Sequence, residues 1–301
     1  MALIWGDIVI NIIYTNSFGQ SIAIGLTRPF IYQKISGFEA PKNIVNTSKA
    51  PEQDGETFTS MSLEKAERTI TGIILAGSED EIEQYRRQIE MAFNSKESGV
   101  LQFSDGDLRK SCDCKVEAIT FGDRDGVTQA FDITLLCPNP FWHDIAESIN
   151  EIALWLPDFE FDSVNGFEID AENGMEFGER APSLIVDVQN PGDVPCGMKI
   201  IFTALGTLTN PSVFNVNTRE YFKITKAMQP GETIEINTKF GEKGITGYLN
   251  GESLDYWNHA DLPDSTFLQL QPGSNPIRYN ADSGLDNLNV TIRYSPQYLG
   301  V

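Results

Sequence analysis

From Ser183 to the C-terminus, the sequence carries a turn signal every eight to twelve residues. The runs NPGD, TNPS, NTRE, QPGE, LNGE and QPGSNP each contain residues that preset or permit turn backbone. Between them lie SLIVDVQ, MKIIFTA, EYFKITKAM, ETIEINT, TGYLN, TFLQLQ, IRYNA and LNVTIRYS, short segments rich in β-branched and aromatic residues. Turns this close together leave no room for a helix of useful length. The spacing therefore predicts antiparallel strands, whose apolar faces need a second sheet, and a β-sandwich over residues 183–301. No internal repeat or low-complexity tract interrupts it.

The first half has a different grammar. In SEDEIEQYRRQIEMAFN, Ser78 can cap a helix while Glu81 reaches back, Glu79 and Asp80 suit the positive end of its dipole, and Ile82, Tyr85, Ile89 and Phe93 mark one apolar face. This predicts a helix over 79–94, ended by SKESGV. Around it RPFIYQKISG, RTITGIILAG, GVLQF, CKVEAITFG and TQAFDITLLC read as strands. The expected fold class is mainly β: an α+β N-terminal domain with one helix over residues 1–145, an acidic connector over 146–182, and the C-terminal sandwich. A chain of 301 residues fits two cores better than one.

Charge narrows the partners. Twenty-two basic against 43 acidic residues give a net charge of −21, which repels phosphate backbones and anionic lipid, so no specific nucleic-acid binding and no membrane insertion are expected. The start, MALIWGDIVINIIY, is apolar but lacks a basic leader and carries Asp7, so it reads as the beginning of a soluble protein made in the cytoplasm. Four cysteines, Cys112, Cys114, Cys137 and Cys196, are too few for a disulfide scaffold and are expected as reduced thiols.

Catalytic and metal-binding patterns are missing. The one-residue spacer of Cys112-x-Cys114 puts two thiols on one strand face without the turn that wraps zinc. The acids Asp158, Glu160, Asp162, Glu168, Asp170, Glu172, Glu176 and Glu179 crowd around Arg180 but form no EF-hand loop, and they read as a solvated connector. Only His143 and His259 could serve a histidine-dependent triad, and no nucleophile elbow, zinc-protease motif or phosphate-cradling loop is present. We expect no enzyme, no cofactor and no metal. A two-carboxylate hydrolase would need a facing acid pair across a cleft, which 43 carboxylates neither predict nor exclude.

Two stretches remain. In LLCPNPFWHD, Pro138 and Pro140 remove backbone donors and end a strand at Cys137, while Phe141 and Trp142 offer large apolar area. That combination reads as a rigid corner leading out of the first domain, with His143 and Asp144 as a surface pair. Tyr256 and Trp257, after NGESLD, form either a rim or core aromatic pair or a platform for sugar.

Taken in order, these segments resemble the siphovirus tail component family, the distal tail proteins of long-tailed phages and related prophages. The strand holding Arg68, Ile70, Ile74 and Leu75, the helix with YRRQIEMAFN, GVLQF and the CPNPFW corner carry the resemblance in the first half. VQNPGDVPCGMKIIF, TNPSVFNVNTREYFKI, QPGETIEINT, FLQLQPGSNPIRYNA and VTIRYSPQYLGV carry it in the second. The resemblance implies an N-terminal ring-forming domain, usually a hexamer, and a galectin-like C-terminal sandwich. It implies a structural hub at the virion tail tip, assembled in the bacterial cytoplasm, that joins the tail tube protein to the tail-associated baseplate protein and to receptor-binding or fibre proteins. The alternative is a lectin-like module that contacts the host cell wall.

Overall fold

Buried and open side chains alternate along most strands of the computed structural model, which describes residues 10–151, 155–156, 179–180 and 185–301. The chain divides into two units, residues 1–146 with 297–301, and residues 147–296. Each has its own apolar core.

The first unit is built from β1 (Asn11–Asn16), β2 (Ser21–Ile24), β3 (Phe30–Ser36), β4 (Asn43–Ser48), β5 (Thr57–Leu63), β6 (Ala66–Leu75), α1 (Glu79–Ala92), β7 (Ser98–Asp105), β8 (Leu108–Asp125), β9 (Thr128–Cys137) and β10 (Trp142–Asp144). Its main sheet runs β2-β1-β7-β8-β9-β6-β3, with every neighbouring pair antiparallel. The two ends then meet. Gly25 bridges to Ile31, with Gly25 N–H donating to Phe30 O at 3.1 Å and Tyr32 N–H to Gly25 O at 3.0 Å. The sheet thus closes on itself at this point, where the two end strands satisfy each other's backbone groups.

Helix α1 packs against β1, β2 and β6. Ser78 caps it by accepting from Glu81 N–H at 3.4 Å, while the Glu81 carboxylate accepts from Gly77 N–H at 2.7 Å, one residue before the cap. The helix ends at Ala92, two residues earlier than its periodicity predicts, because Phe93 leaves helical backbone and stacks its ring on Tyr14 at 4.2 Å. The Tyr14 ring in turn lies over Gly99, where an added Cβ would come within 2.3 Å of it. Gly99 is therefore the residue that lets β7 pass beneath that aromatic pair.

The last residues of the chain return to the first unit. Strand Gln297–Tyr298 pairs with β10, which also pairs with β8, and Val301 N–H donates to Phe38 O at 3.2 Å. Residues 297–301 follow from sequence the sandwich strands, yet they complete the other core.

The second unit starts with β11 (Ser148–Glu151), inside the stretch read as a connector. The short strands β12 (Trp155–Leu156) and β13 (Glu179–Arg180) pair with each other, and the acids Asp158 to Glu176 lie outside the described residues. Then come β14 (Ile185–Asn190), β15 (Cys196–Ala204), β16 (Leu208–Thr209), β17 (Ser212–Asn215), β18 (Glu220–Lys223), β19 (Ala227–Met228), β20 (Thr233–Asn237), β21 (Gly244–Leu249), β22 (Glu252–Asp255), β23 (Gln269–Leu270), β24 (Gly273–Asn280) and β25 (Leu288–Tyr294). One sheet runs β11-β25-β15-β20-β21-β22 and another β14-β24-β17-β18. Their buried faces share one cluster, to which Ile200, Phe202, Ile234, Ile236, Val290 and Ile292 come from the first sheet and Val188, Val213, Phe222, Ile277 and Tyr279 from the second. This is the mainly β, antiparallel architecture that the turn spacing predicts. One turn signal is displaced: in QPGSNP, Gly273 to Pro276 already belong to β24, where Pro276 pairs with Asp187.

Removing Gln297–Val301 should therefore loosen the first unit and spare the second. Amide exchange should accelerate at Trp142–Asp144 and stay unchanged at Thr233–Asn237. Equal acceleration in both places would show that the tail is not part of the first core.

Candidate functional site

Outside the first unit's main sheet lies a ribbon with open edges on both strands. Strands β4 and β5 pair only with each other among the described residues, and every side chain on both is exposed. Register places Val45 opposite Met61 and Asn43 opposite Leu63, so these share one face of the ribbon, and the bulge at Asn46/Thr47 brings Phe58 opposite Thr47. Val45 is 55%, Phe58 58% and Met61 67% exposed. Polar cross-strand links hold the ribbon together: Asn46 Nδ2 donates to Ser60 Oγ at 3.0 Å, and the Thr47 hydroxyl donates to Glu56. An isolated two-stranded ribbon is marginal in water, and apolar side chains along it cost solvation until something covers them. We read β4–β5 as an arm built for contact. Sequence reasoning passed over it because NIVNTS and TFTSMSL are half polar; two β-branched runs flanking the turn PEQDGE were the available signal.

The proline corner is the second constellation. Cys137 and Trp142 are wholly buried, Phe141 and Pro140 half-buried, and Pro138 exposed. The Asn139 side chain accepts from Phe141 N–H at 3.2 Å, which tightens the bend. Trp142 Nε1 donates to Phe38 O at 3.3 Å, and its ring meets those of Phe38 and Phe103 at 5.3 and 6.3 Å. Arg68, fully buried on β6, donates to Cys137 Sγ at 2.8 Å and to Pro140 O at 2.9 Å, with its guanidinium 3.9 Å from the Trp142 ring centroid. The corner is thus anchored to the barrel by one cation and one indole. The sequence places Arg68 only within a strand, since nothing around it locally announces burial.

Beyond the corner, Asp144 pairs with Lys110 at 2.5 Å instead of with His143, and Lys110 lies 3.3 Å from the Tyr298 ring centroid. His143 Nδ1 sits 3.0 Å from Ser111 Oγ and Nε2 3.9 Å from Asp113. His259 is edge-on to Tyr256 at 5.1 Å. The hydroxyl beside His143 is that of Ser111, which is buried and also reaches the His143 carbonyl at 3.4 Å, so it is not presented to a substrate as a nucleophile. All four cysteines are free and buried, and among the described residues no group of three or more His, Cys, Asp or Glu side chains is arranged to hold a metal.

The Tyr256–Trp257 pair has a specific place in the second unit. Tyr256 is buried, its ring lies so close over Gly247 that an added Cβ would come within 2.1 Å, and its hydroxyl donates to Glu232 at 2.9 Å. Trp257 packs on Phe267 at 5.6 Å. Glu232 is itself fully buried and also takes Lys226 Nζ at 2.8 Å and Gln229 N–H at 3.0 Å. Burial alone raises its pKa, but these hydrogen bonds outweigh burial and hold the carboxyl below the ordinary carboxylate range.

Two outcomes follow from this geometry. Trp142→Ala should cost about 3–5 kcal/mol in denaturant unfolding of the first unit, the scale for an emptied indole site. Glu232 has a lowered native pKa, so its stabilisation is present above the ordinary carboxylate pKa and is lost as pH falls through the lower native value. Glu232→Gln should lower stability by about 1–3 kcal/mol at neutral pH and flatten the acid limb of the stability curve, as read by amide exchange in β20.

Two family models match side by side. Residues 17–137 match the phage tail protein RIFT-related domain, and residues 191–298 match the C-terminal domain of the siphovirus-type tail component. No curated protein matches significantly. Among solved structures, the crystal structure of the SPP1 Dit protein, described as a paradigm of the hub adsorption apparatus in phages infecting Gram-positive bacteria, aligns with a TM-score of 0.68 and 16% identity. That alignment covers 96% of this chain and 99% of that one. The phage P2 baseplate in its activated conformation, solved with calcium and with strontium, aligns at 0.55 and 12% identity, over 96% of this chain and 98% of that one. Such low identities establish shared fold, and the paired domain matches, in this order along one chain, establish kinship: the chain belongs to the siphovirus-type tail component family, the distal tail proteins.

Proposed function

We propose that this chain is a structural subunit of a phage or prophage tail-tip hub. Copies close a ring, six by the family's habit, and the ring joins the tail tube protein on one side to the tail-associated baseplate protein and to receptor-binding or fibre proteins on the other. The observation that carries this reading is the arm. A barrel that satisfies its own edges has no general need to aggregate, so an exposed ribbon with Val45, Phe58 and Met61 along it points to a designated partner surface. A head-to-tail contact between arm and neighbouring barrel repeats around a closed ring.

The surplus of acidic residues suits a particle through which DNA passes, since it disfavours adhesion to the phosphate backbone. The role is mechanical in this reading, with no substrate turned over. A galectin-like second unit would carry the peripheral partners, and the particle would be assembled in the host cytoplasm and act at the virion tail tip. The alternative, a module that binds wall sugar through Tyr256 and Trp257, draws less support, because Tyr256 gives its ring to Gly247 and Trp257 packs on Phe267.

The test is assembly mass. Native mass measurement across protein concentrations should show a closed oligomer, and Val45→Asp with Met61→Asp should reduce it to monomers whose circular dichroism is unchanged. Oligomers that persist in this variant would exclude the arm as the ring contact. A chain that stays monomeric even when added to tail tubes would exclude the ring.

A further inference from the structure

A buried arginine needs an anion. Arg68 is completely buried, and among the described residues no carboxylate comes within ion-pair distance of it. Its Nη2 is taken by the Pro140 carbonyl and its face by the Trp142 ring, both neutral, while Nε has no partner. The remaining contact, Nη1 to Cys137 Sγ at 2.8 Å, is short for a nitrogen–sulfur hydrogen bond. A neutral thiol in that position would leave a full charge in an apolar core without compensation.

The surroundings of Cys137 suit a negative sulfur. Cys112 Sγ lies 3.9 Å away, while the Cys114 thiol on the same strand donates to Gly99 O at 3.6 Å. The titratable groups facing it are Arg68 from β6 and Cys112 and Cys114 from β8, and the corner adds the Pro140 carbonyl through the guanidinium. The Cys112 thiol can donate to a thiolate at Cys137, and one guanidinium balances its charge.

We infer that Cys137 is a thiolate in the folded protein, the internal counter-ion of Arg68, and that this pair latches the Pro138–Trp142 corner to the barrel. The hydrogen bond from Cys112, together with the Arg68 charge, holds the Cys137 thiol far below its usual range despite burial, while burial pushes the Cys112 thiol up. The sulfur is a strong nucleophile toward soft electrophiles, but one sealed beneath the corner. Alkylation would consume its charge, strand Arg68 and keep the corner open. With a maleimide, the sulfur lone pair forms the new carbon–sulfur bond and the enolate carbon takes its proton from water.

The test uses the intact chain. Thiolate absorbance in the far ultraviolet, and the 13Cβ shift of Cys137, should report one ionised cysteine that persists from about pH 8 to about pH 5. Cys112→Ser and Cys114→Ser should each keep that signal, and Cys137→Ser should abolish it. Stability should be strongly non-additive: Arg68→Met and Cys137→Ala each destabilise, and the double variant recovers most of the loss. Maleimide should label Cys137 in native wild type at least tenfold more slowly than in unfolded chain. A neutral Cys137 by 13Cβ shift in the folded wild type overturns the inference without any variant, and additive effects of the two substitutions overturn the latch.

Discussion

Unpaired strand edges are the constraint around which this molecule is organised. A backbone N–H or C=O that faces neither water nor a partner is costly, and one that faces water in a flat strand invites any other strand. The first unit answers by closing β2 onto β3 through Gly25 and Ile31. In the larger sheet of the second, the edge strands β11 and β22 are only four residues long and carry Glu151, Glu252 and Asp255, which discourage chance pairing. Against that background the β4–β5 arm combines open edges on both strands with the exposed side chains of Val45, Phe58 and Met61.

The proline corner shows how a buried charge can serve topology. Chain direction must change between β9 and β10, and two prolines make the intervening backbone stiff but also deprive it of donors. Arg68 supplies donors from the side, reaching both the Cys137 sulfur and the Pro140 carbonyl, while Trp142 fills the space above its guanidinium. Once β10 is set, it offers its own edge to Gln297–Tyr298, and Lys110 closes that seam against Asp144 and the Tyr298 ring. A local bend therefore decides where the far end of the chain is held.

The two units use buried polar groups alike. Glu232 in the second is as enclosed as Arg68 in the first, and each is surrounded by partners drawn from different parts of the chain. Pairs of this kind are expensive to break and cheap only when complete, so they favour one arrangement of strands over near alternatives. For a subunit whose task is to present fixed surfaces to neighbours, that selectivity is of more use than extra stability.

How far the residues announced all this depends on the range of the interaction. The helix from Glu79, the strands around YQKIS, TITGIIL and LQF, and the sandwich after Ser183 were legible because period, caps and turns are local properties. The arm was not, since its strands are half polar and acquire meaning only when the barrel beside them is seen to be closed. Nor was the buried state of Arg68, whose sulfur partner lies 69 residues away, or the burial of Tyr256 against Gly247. By itself the sequence determined a mainly β chain in two parts with one helix, because backbone propensity and turn chemistry act over a few residues. Only the tertiary structure decided which edges stay open, which charges are enclosed and which unit holds the C-terminal strand, because those outcomes are set by contacts between segments far apart along the chain.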